Sequence, residues 1–166
     1  GRFNIQNIAS GAAVAIALQI PIKHITEGIK KAHAVPGRLE LVPNNKGLTI
    51  VVDYAHTPDA LQKALISLRK FCAGKLICVF GCGGNRDSSK RPLMGEIAEK
   101  YSDEIIITND NPRNEDPLAI IEQITQGLQK PTQAIIIENR KQAIQKAILS
   151  LNPGDCLLLA GKGHET

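Results

Sequence analysis

The sequence predicts an α/β fold, a parallel-rich sheet with helices on both faces, preceded by two helices. Three observations predict it. The runs KLICVF (75–80), EIIIT (104–108), QAIIIE (133–138) and DCLLLAG (155–161) are short and mostly apolar throughout, as strands buried on both sides must be. They alternate with longer segments whose apolar residues recur every three or four positions, the rhythm of helices that cover a sheet. Gly, amide and charged residues gather just after each run, where a strand gives way to a loop.

Taken in order, residues 3–20 read as a helix apolar almost all round, a pattern expected of a segment buried inside a larger body. The stretch is too short and too interrupted by Ser, Gly and Gln to span a membrane. It also lacks the basic start and cleavage site of a signal peptide. A second short helix follows, with Pro21 near its first turn and Ile22, Ile25 and Ile29 on one face. AVPGR (34–38) breaks the pattern with a Pro-Gly pair, which makes it a linker and divides the chain into 1–33 and 34–166. Beyond it, LELV, PNNKG and LTIVVDY read as a hairpin. The next helix has Thr57 as its N-cap, Pro58 at its first position and Leu61, Leu65 and Leu68 along one stripe. Helices RPLMGEIAEKY (91–101), DPLAIIEQITQGL (116–128) and RKQAIQKAILSL (140–151) separate the remaining strands, the second of them capped by Asp116.

Composition narrows the function classes. The 166 residues are 43% hydrophobic and 22% charged, an ordinary globular balance. No Trp, two Tyr and three Phe leave little for stacking single-stranded nucleic acid. The net charge of +4 is spread along the chain, which suits small anionic ligands better than a polyanion or a membrane surface. Cys72, Cys78, Cys82 and Cys156 match neither a zinc site nor a dithiol motif, so a reducing cytoplasm is expected. Cys78 and Cys156 are expected in the core. A monomer is expected, and His56 and His164 have no metal-like partner spacing, so no metal held by this chain is assigned.

In an open parallel sheet, ligands bind beyond the carboxyl ends of the strands. Five stretches fall there: 53–56, GCGGNRD (81–87), DNPR (110–113), NR (139–140) and GKGHE (161–165). GCGGNRD is neither a P-loop nor a dinucleotide fingerprint, because Arg86 stands where the third glycine belongs. Read alone it is equally a glycine-rich turn. The Arg86 guanidinium favours a carboxylate or phosphate ligand. In TNDNPRNEDP (108–117), Asp116 serves as a helix cap, whereas Asp110, Asn111 and Arg113 have no such structural duty. Pro112 stiffens the loop beside them. In GKGHE the glycines permit close backbone approach and Glu165 can hold an ammonium group.

Together VPGRLE, VVDYAHTPDAL, VFGCGGNRDSSKRPLMG, TNDNPRNEDP and LLLAGKGHET resemble the Mur ligase family over residues 34–166, and GRFNIQNIASGAAVA resembles the closing helices of that family's central ATPase domain. The resemblance is to members that add meso-diaminopimelate. It implies a Rossmann-like domain over 34–166 and ATP-driven amide formation on a UDP-MurNAc dipeptide, through an acyl phosphate. It implies that Asp110, Asn111, Pro112 and Arg113 recognise diaminopimelate, with Arg86, the Gly161 backbone and Glu165 completing the pocket. A buried Arg113 would then read the extra carboxylate that distinguishes diaminopimelate from lysine. Arg38, Asp53 and His56 match positions facing ATP, and no catalytic residue is assigned. The family's P-loop and magnesium-holding modified lysine do not occur here, nor does the segment usual after GHET. ATP and Mg2+ are therefore expected to be held mainly elsewhere, and these residues alone are not expected to catalyse ligation. A lysine-adding relative and a stand-alone amino-acid or nucleotide-binding module remain as alternatives. A generic dinucleotide-binding domain is disfavoured by the broken fingerprint.

Overall fold

The computed structural model describes residues 2–32 and 35–163 and divides into two compact units, Gly1–Val35 and Pro36–Thr166. The first unit contains helices α1 (Arg2–Ala17) and α2 (Ile22–Lys31). The chain reverses between them through Gln19, whose φ is 59°. The expectation of a buried first helix does not hold within this unit. Ile5, Val14 and Ile16 are 68%, 61% and 56% exposed, and of the described α2 residues only Ile25 is buried. Two helices this short have too little surface to enclose each other.

The second unit is built on a six-stranded sheet: β1 (Glu40–Leu41), β2 (Thr49–Asp53), β3 (Leu76–Phe80), β4 (Glu104–Ile107), β5 (Ile135–Ile136) and β6 (Cys156–Ala160). Its spatial order is β1-β2-β6-β3-β4-β5. β1 pairs antiparallel with β2 as a hairpin, with Glu40 opposite Val52, and every other neighbour is parallel. Helices α3 (Pro58–Arg69), α4 (Lys90–Tyr101), α5 (Pro117–Thr125) and α6 (Arg140–Ser150) link the strands.

Alternation along the central strands divides the core in two. Cys78, Phe80, Ile105, Ile107, Cys156 and Leu158 face the layer that includes Leu61, Leu65, Met94, Ala98, Ile120 and Ile124. Ile77, Val79, Ile106 and Leu157 face the opposite way, against Ala143 and Ala147 of α6. Both faces being covered explains why these strands are apolar at every position. Cys78 and Cys156 are in the core as expected, and Cys82 joins them.

The helix signals act where expected. Thr57 accepts a hydrogen bond from the Ala60 N–H, and Asp116 accepts one from the Leu118 N–H, with Pro58 and Pro117 at the first helical positions. Asn139 caps α6 by accepting from Gln142. The fifth strand is shorter than expected. Pro131–Gln133 forms a 3-10 turn that takes Gln133 from the expected run, and of the remainder only Ile135–Ile136 form β5.

Candidate functional site

The strand order determines which loops meet. β2, β6, β3 and β4 are neighbours, so the segments following them lie side by side at the carboxyl edge. They form a cleft of about 480 Å³. His56 contributes from beyond β2, Gly161 from beyond β6, Arg86 from beyond β3, and Asp110, Asn111 and Arg113 from beyond β4. Tyr54, Asp87 and Lys90 complete much of the wall. Lys90 also donates from Nζ to the His56 carbonyl at 2.8 Å, tying the start of α4 to the loop after β2. Residues 139 and 140 line a neighbouring cleft with Asp110 and Lys162.

The two loops richest in charge are stitched together. The Gly84 N–H donates to the Asn111 carbonyl at 2.8 Å, and Arg113 Nη1 donates to the Gly84 carbonyl at 2.7 Å. The Asn114 N–H donates to Asn85 Oδ1 at 3.0 Å, and the Asn85 N–H donates to Glu115. Asn85 and Arg113 each have a φ of 52°, in the left-handed region that most side chains avoid. The glycines let the loops meet. A Cβ at Gly84 would run into the Pro112 carbonyl, and one at Gly83 would lie 3.0 Å from Arg113 Nη1.

Behind the loops, Arg91 is 1% exposed and acts as a clamp. Nη1 donates to Glu115 Oε2 and Gln123 Oε1, both at 2.7 Å, while Nη2 donates to Glu115 Oε1 at 2.9 Å and to the Gly83 carbonyl at 3.2 Å. Hydrogen bonds from Arg91, then from the Asn85 N–H, hold the Glu115 carboxyl down at about 2.

On the floor, Gly161 has a φ of 110° and its N–H donates to the Asp53 carbonyl at 3.0 Å. An added Cβ there would come 3.0 Å from Asp110 Oδ2. Lys162 Nζ lies 3.9 Å from Asp110 Oδ1. The Asp53 carboxylate accepts from the Leu39 and Ala55 N–H groups, both at 2.8 Å, and so braces the start of the unit. Burial raises its pKa against the opposing pull of those two hydrogen bonds. The Arg38 guanidinium stands 4.7 Å over the Tyr54 ring, and the Tyr54 and His56 ring centroids are 4.6 Å apart. This stack presents a cation and aromatic faces beside the cleft.

Of the residues expected to form the site, Arg86, Asp110, Asn111, Arg113, Gly161 and His56 line one cleft. Pro112, Arg38 and Asp53 do not line it. Pro112 instead accepts a hydrogen bond from the Glu115 N–H at 3.0 Å. Glu165 and His164 lie outside the described residues. One expectation needs correction. Arg113 is exposed, with a nitrogen committed to Gly84, so its guanidinium is not buried in this structure. Sequence reasoning placed Tyr54 and Asp87 within edge stretches without singling them out, and missed Lys90 in the wall and Arg91 and Glu115 behind it. Arg91 carried a signal, since it shares one helical stripe with Met94 and Ala98, an odd place for a charge. Among the described residues no three His, Cys, Asp or Glu side chains gather as a metal site.

Both signs of charge in one cleft suit a ligand that carries both, such as an amino acid. A ligase from Clostridium acetobutylicum, UDP-N-acetylmuramoyl-L-alanyl-D-glutamate–2,6-diaminopimelate ligase 1, is 49% identical over 167 residues, covering 99% of this chain and 34% of the relative. A solved structure of a ligase of that name, 37% identical, covers 99% of this chain and 34% of its own with a TM-score of 0.75. A folylpolyglutamate synthase/dihydrofolate synthase solved with Mn, AMPPNP and L-glutamate shares the fold at 20% identity and a TM-score of 0.64, over 80% of this chain and 30% of its own. This chain spans about a third of the length of the curated relatives it matches. The sequence profile described as Mur ligase, glutamate ligase domain matches residues 37–163, and the chain belongs to that family.

Proposed function

We propose that this chain is the amino-acid-selecting part of an ATP-dependent ligase that adds meso-diaminopimelate to UDP-N-acetylmuramoyl-L-alanyl-D-glutamate. The observation that carries the reading is the convergence of Arg86, Asp110, Asn111, Arg113 and Gly161 on one cleft. Diaminopimelate brings two ammonium and two carboxylate groups. A guanidinium fork matches a carboxylate in two parallel hydrogen bonds, which makes Arg113 and Arg86 its readers. Asp110, with Glu165, offers the complementary negative charge for an ammonium group.

In the reaction, ATP phosphorylates the D-glutamate side-chain carboxylate to give an acyl phosphate and ADP. The free amine of diaminopimelate attacks the acyl carbon, and the tetrahedral intermediate collapses with loss of phosphate. Activation of the carboxylate makes the leaving group good, so the protein's work is placement and charge stabilisation. The present residues hold the incoming amino acid by its non-reacting acid end and aim its amine out of the cleft. Arg38, Asp53 and His56 belong to the ATP side. The exposed Arg38 guanidinium, backed by Tyr54, suits an anionic phosphate, and Asp53 works there by bracing the loop that carries it. The described residues offer no carboxylate set for Mg2+, so no step is assigned through it. The reading carries with it a cytoplasmic site of action, where nucleotide-linked precursors and ATP are made.

The test is Arg113→Ala in the ligase that carries this chain. The KM for diaminopimelate is expected to rise by roughly tenfold to a hundredfold, the loss of a charged hydrogen-bonding partner, with the KM for ATP little changed. Equal loss of both would contradict the reading.

A further inference from the structure

We infer that the ion pair between buried Arg91 and half-buried Glu115 is the positioning device that aims the cleft's two arginines, and thereby governs how strongly the cleft distinguishes amino acids by their acid groups. The inference rests on the functional reading above.

Arg91 sits where an apolar residue would pack as well. Met94 and Ala98 fill the same face of α4, and both are buried. A guanidinium there costs desolvation, which its four hydrogen bonds offset by joining three separate segments. Two of those segments carry site residues. The Gly83 carbonyl that Arg91 holds adjoins Gly84, whose own carbonyl accepts from Arg113. Glu115 accepts from both tips of the fork, lies two residues beyond Arg113, and also receives the N–H of Asn85, the residue before Arg86. So the pair grips each arginine-bearing loop close to its arginine.

The backbone gives the grip a task. Asn85 and Arg113 both hold a left-handed φ of 52°, which an unsupported side-chain-bearing residue leaves readily. Asn85 is held there by Glu115 and by its own bond to the Asn114 N–H, and Arg113 by Gly84 and by the turn that closes from Glu115 to Pro112. Releasing the Glu115 carboxylate frees Asn85 directly and unanchors the residue whose N–H closes the turn behind Arg113. The clamp therefore ends on one left-handed residue, Asn85, and on Gly83, next to the carbonyl that holds the other, Arg113.

The test uses the ligase that carries this chain in three forms: unaltered, Arg91→Lys, and the pair Arg91→Met with Glu115→Leu. The apolar pair removes both charges at similar volume, so it can fold without the clamp. In the folded pair variant the KM for diaminopimelate is expected to rise about tenfold or more, and the preference for diaminopimelate over lysine to fall as much, with the KM for ATP within about twofold. In the 166-residue chain carrying the same pair, amide exchange at Gly84, Asn85 and Asn114 should quicken about tenfold while buried β3 amides keep their rates. Arg91→Lys, which keeps the charge and loses the fork, should behave like the pair variant. An unchanged diaminopimelate KM and preference in a folded pair variant would overturn the inference, as would unchanged exchange at those three amides. If the unaltered ligase shows no preference for diaminopimelate, the functional reading fails instead, and the exchange rates still decide whether the clamp holds the loops.

Discussion

Arg113 lays one guanidinium nitrogen 2.7 Å from the Gly84 carbonyl and remains exposed, so the guanidinium is held in place but not desolvated. An exposed ion pair contributes only about 0.2–1 kcal/mol, so strong discrimination by this side chain requires that ligand binding exclude water around it. Glu115 contributes in a different way. Its folded pKa is depressed to about 2 from an ordinary 4.5, chiefly by the Arg91 hydrogen bonds. A depressed carboxylate stabilises the fold above its unfolded pKa, and that stabilisation is lost as pH falls from about 4.5 toward about 2. Glu115→Gln is therefore expected to be less stable than the unaltered chain at pH 7, with the difference shrinking steadily below about pH 4.5. Denaturant midpoints measured from pH 7 to pH 3 check this, and a difference that stays constant would contradict it.

At the scale of elements, α4 and α5 approach so closely that a Cβ on Gly95 would strike the Ile124 carbonyl. Helix propensity alone favours Gly95→Ala by about 0.5–1 kcal/mol. The contact opposes it, and overpacking of this kind costs about 1–3 kcal/mol, so a net loss of stability is expected by denaturant titration. Gly11→Ala in α1, with nothing within 4 Å, should instead show the propensity gain. The elements themselves were largely legible: uninterrupted apolar runs marked β3, β4 and β6, and the caps Thr57 and Asp116 marked two helix starts. β5 was overread because QAIIIE has the composition of a strand, while Pro131 upstream closes a 3-10 turn that consumes Gln133. The exposure of α1 departs from the expected burial because a helix apolar almost all round seeks cover without saying whether its own unit supplies it.

For the molecule as a whole, the crossover that inserts β6 between β2 and β3 gathers four loops into one cleft. The sequence marked those loops because Gly, amide and charge are conspicuous after apolar strands. It did not reveal the Arg91–Glu115 clamp, whose members are 24 positions apart and read singly as a helix residue and a loop acid. Nor could it assign the burial of Arg113, which depends on how two left-handed residues turn the loops toward each other. The central claim is that this cleft selects an amino acid by an acid group that lysine lacks. The most direct measurement is kcat/KM for meso-diaminopimelate against lysine in the ligase that carries this chain, with and without Arg113→Ala. The account predicts a preference for diaminopimelate on the order of a hundredfold or more that falls by at least about tenfold in the variant. Comparable use of both amino acids, or a preference that survives the loss of Arg113, would contradict it.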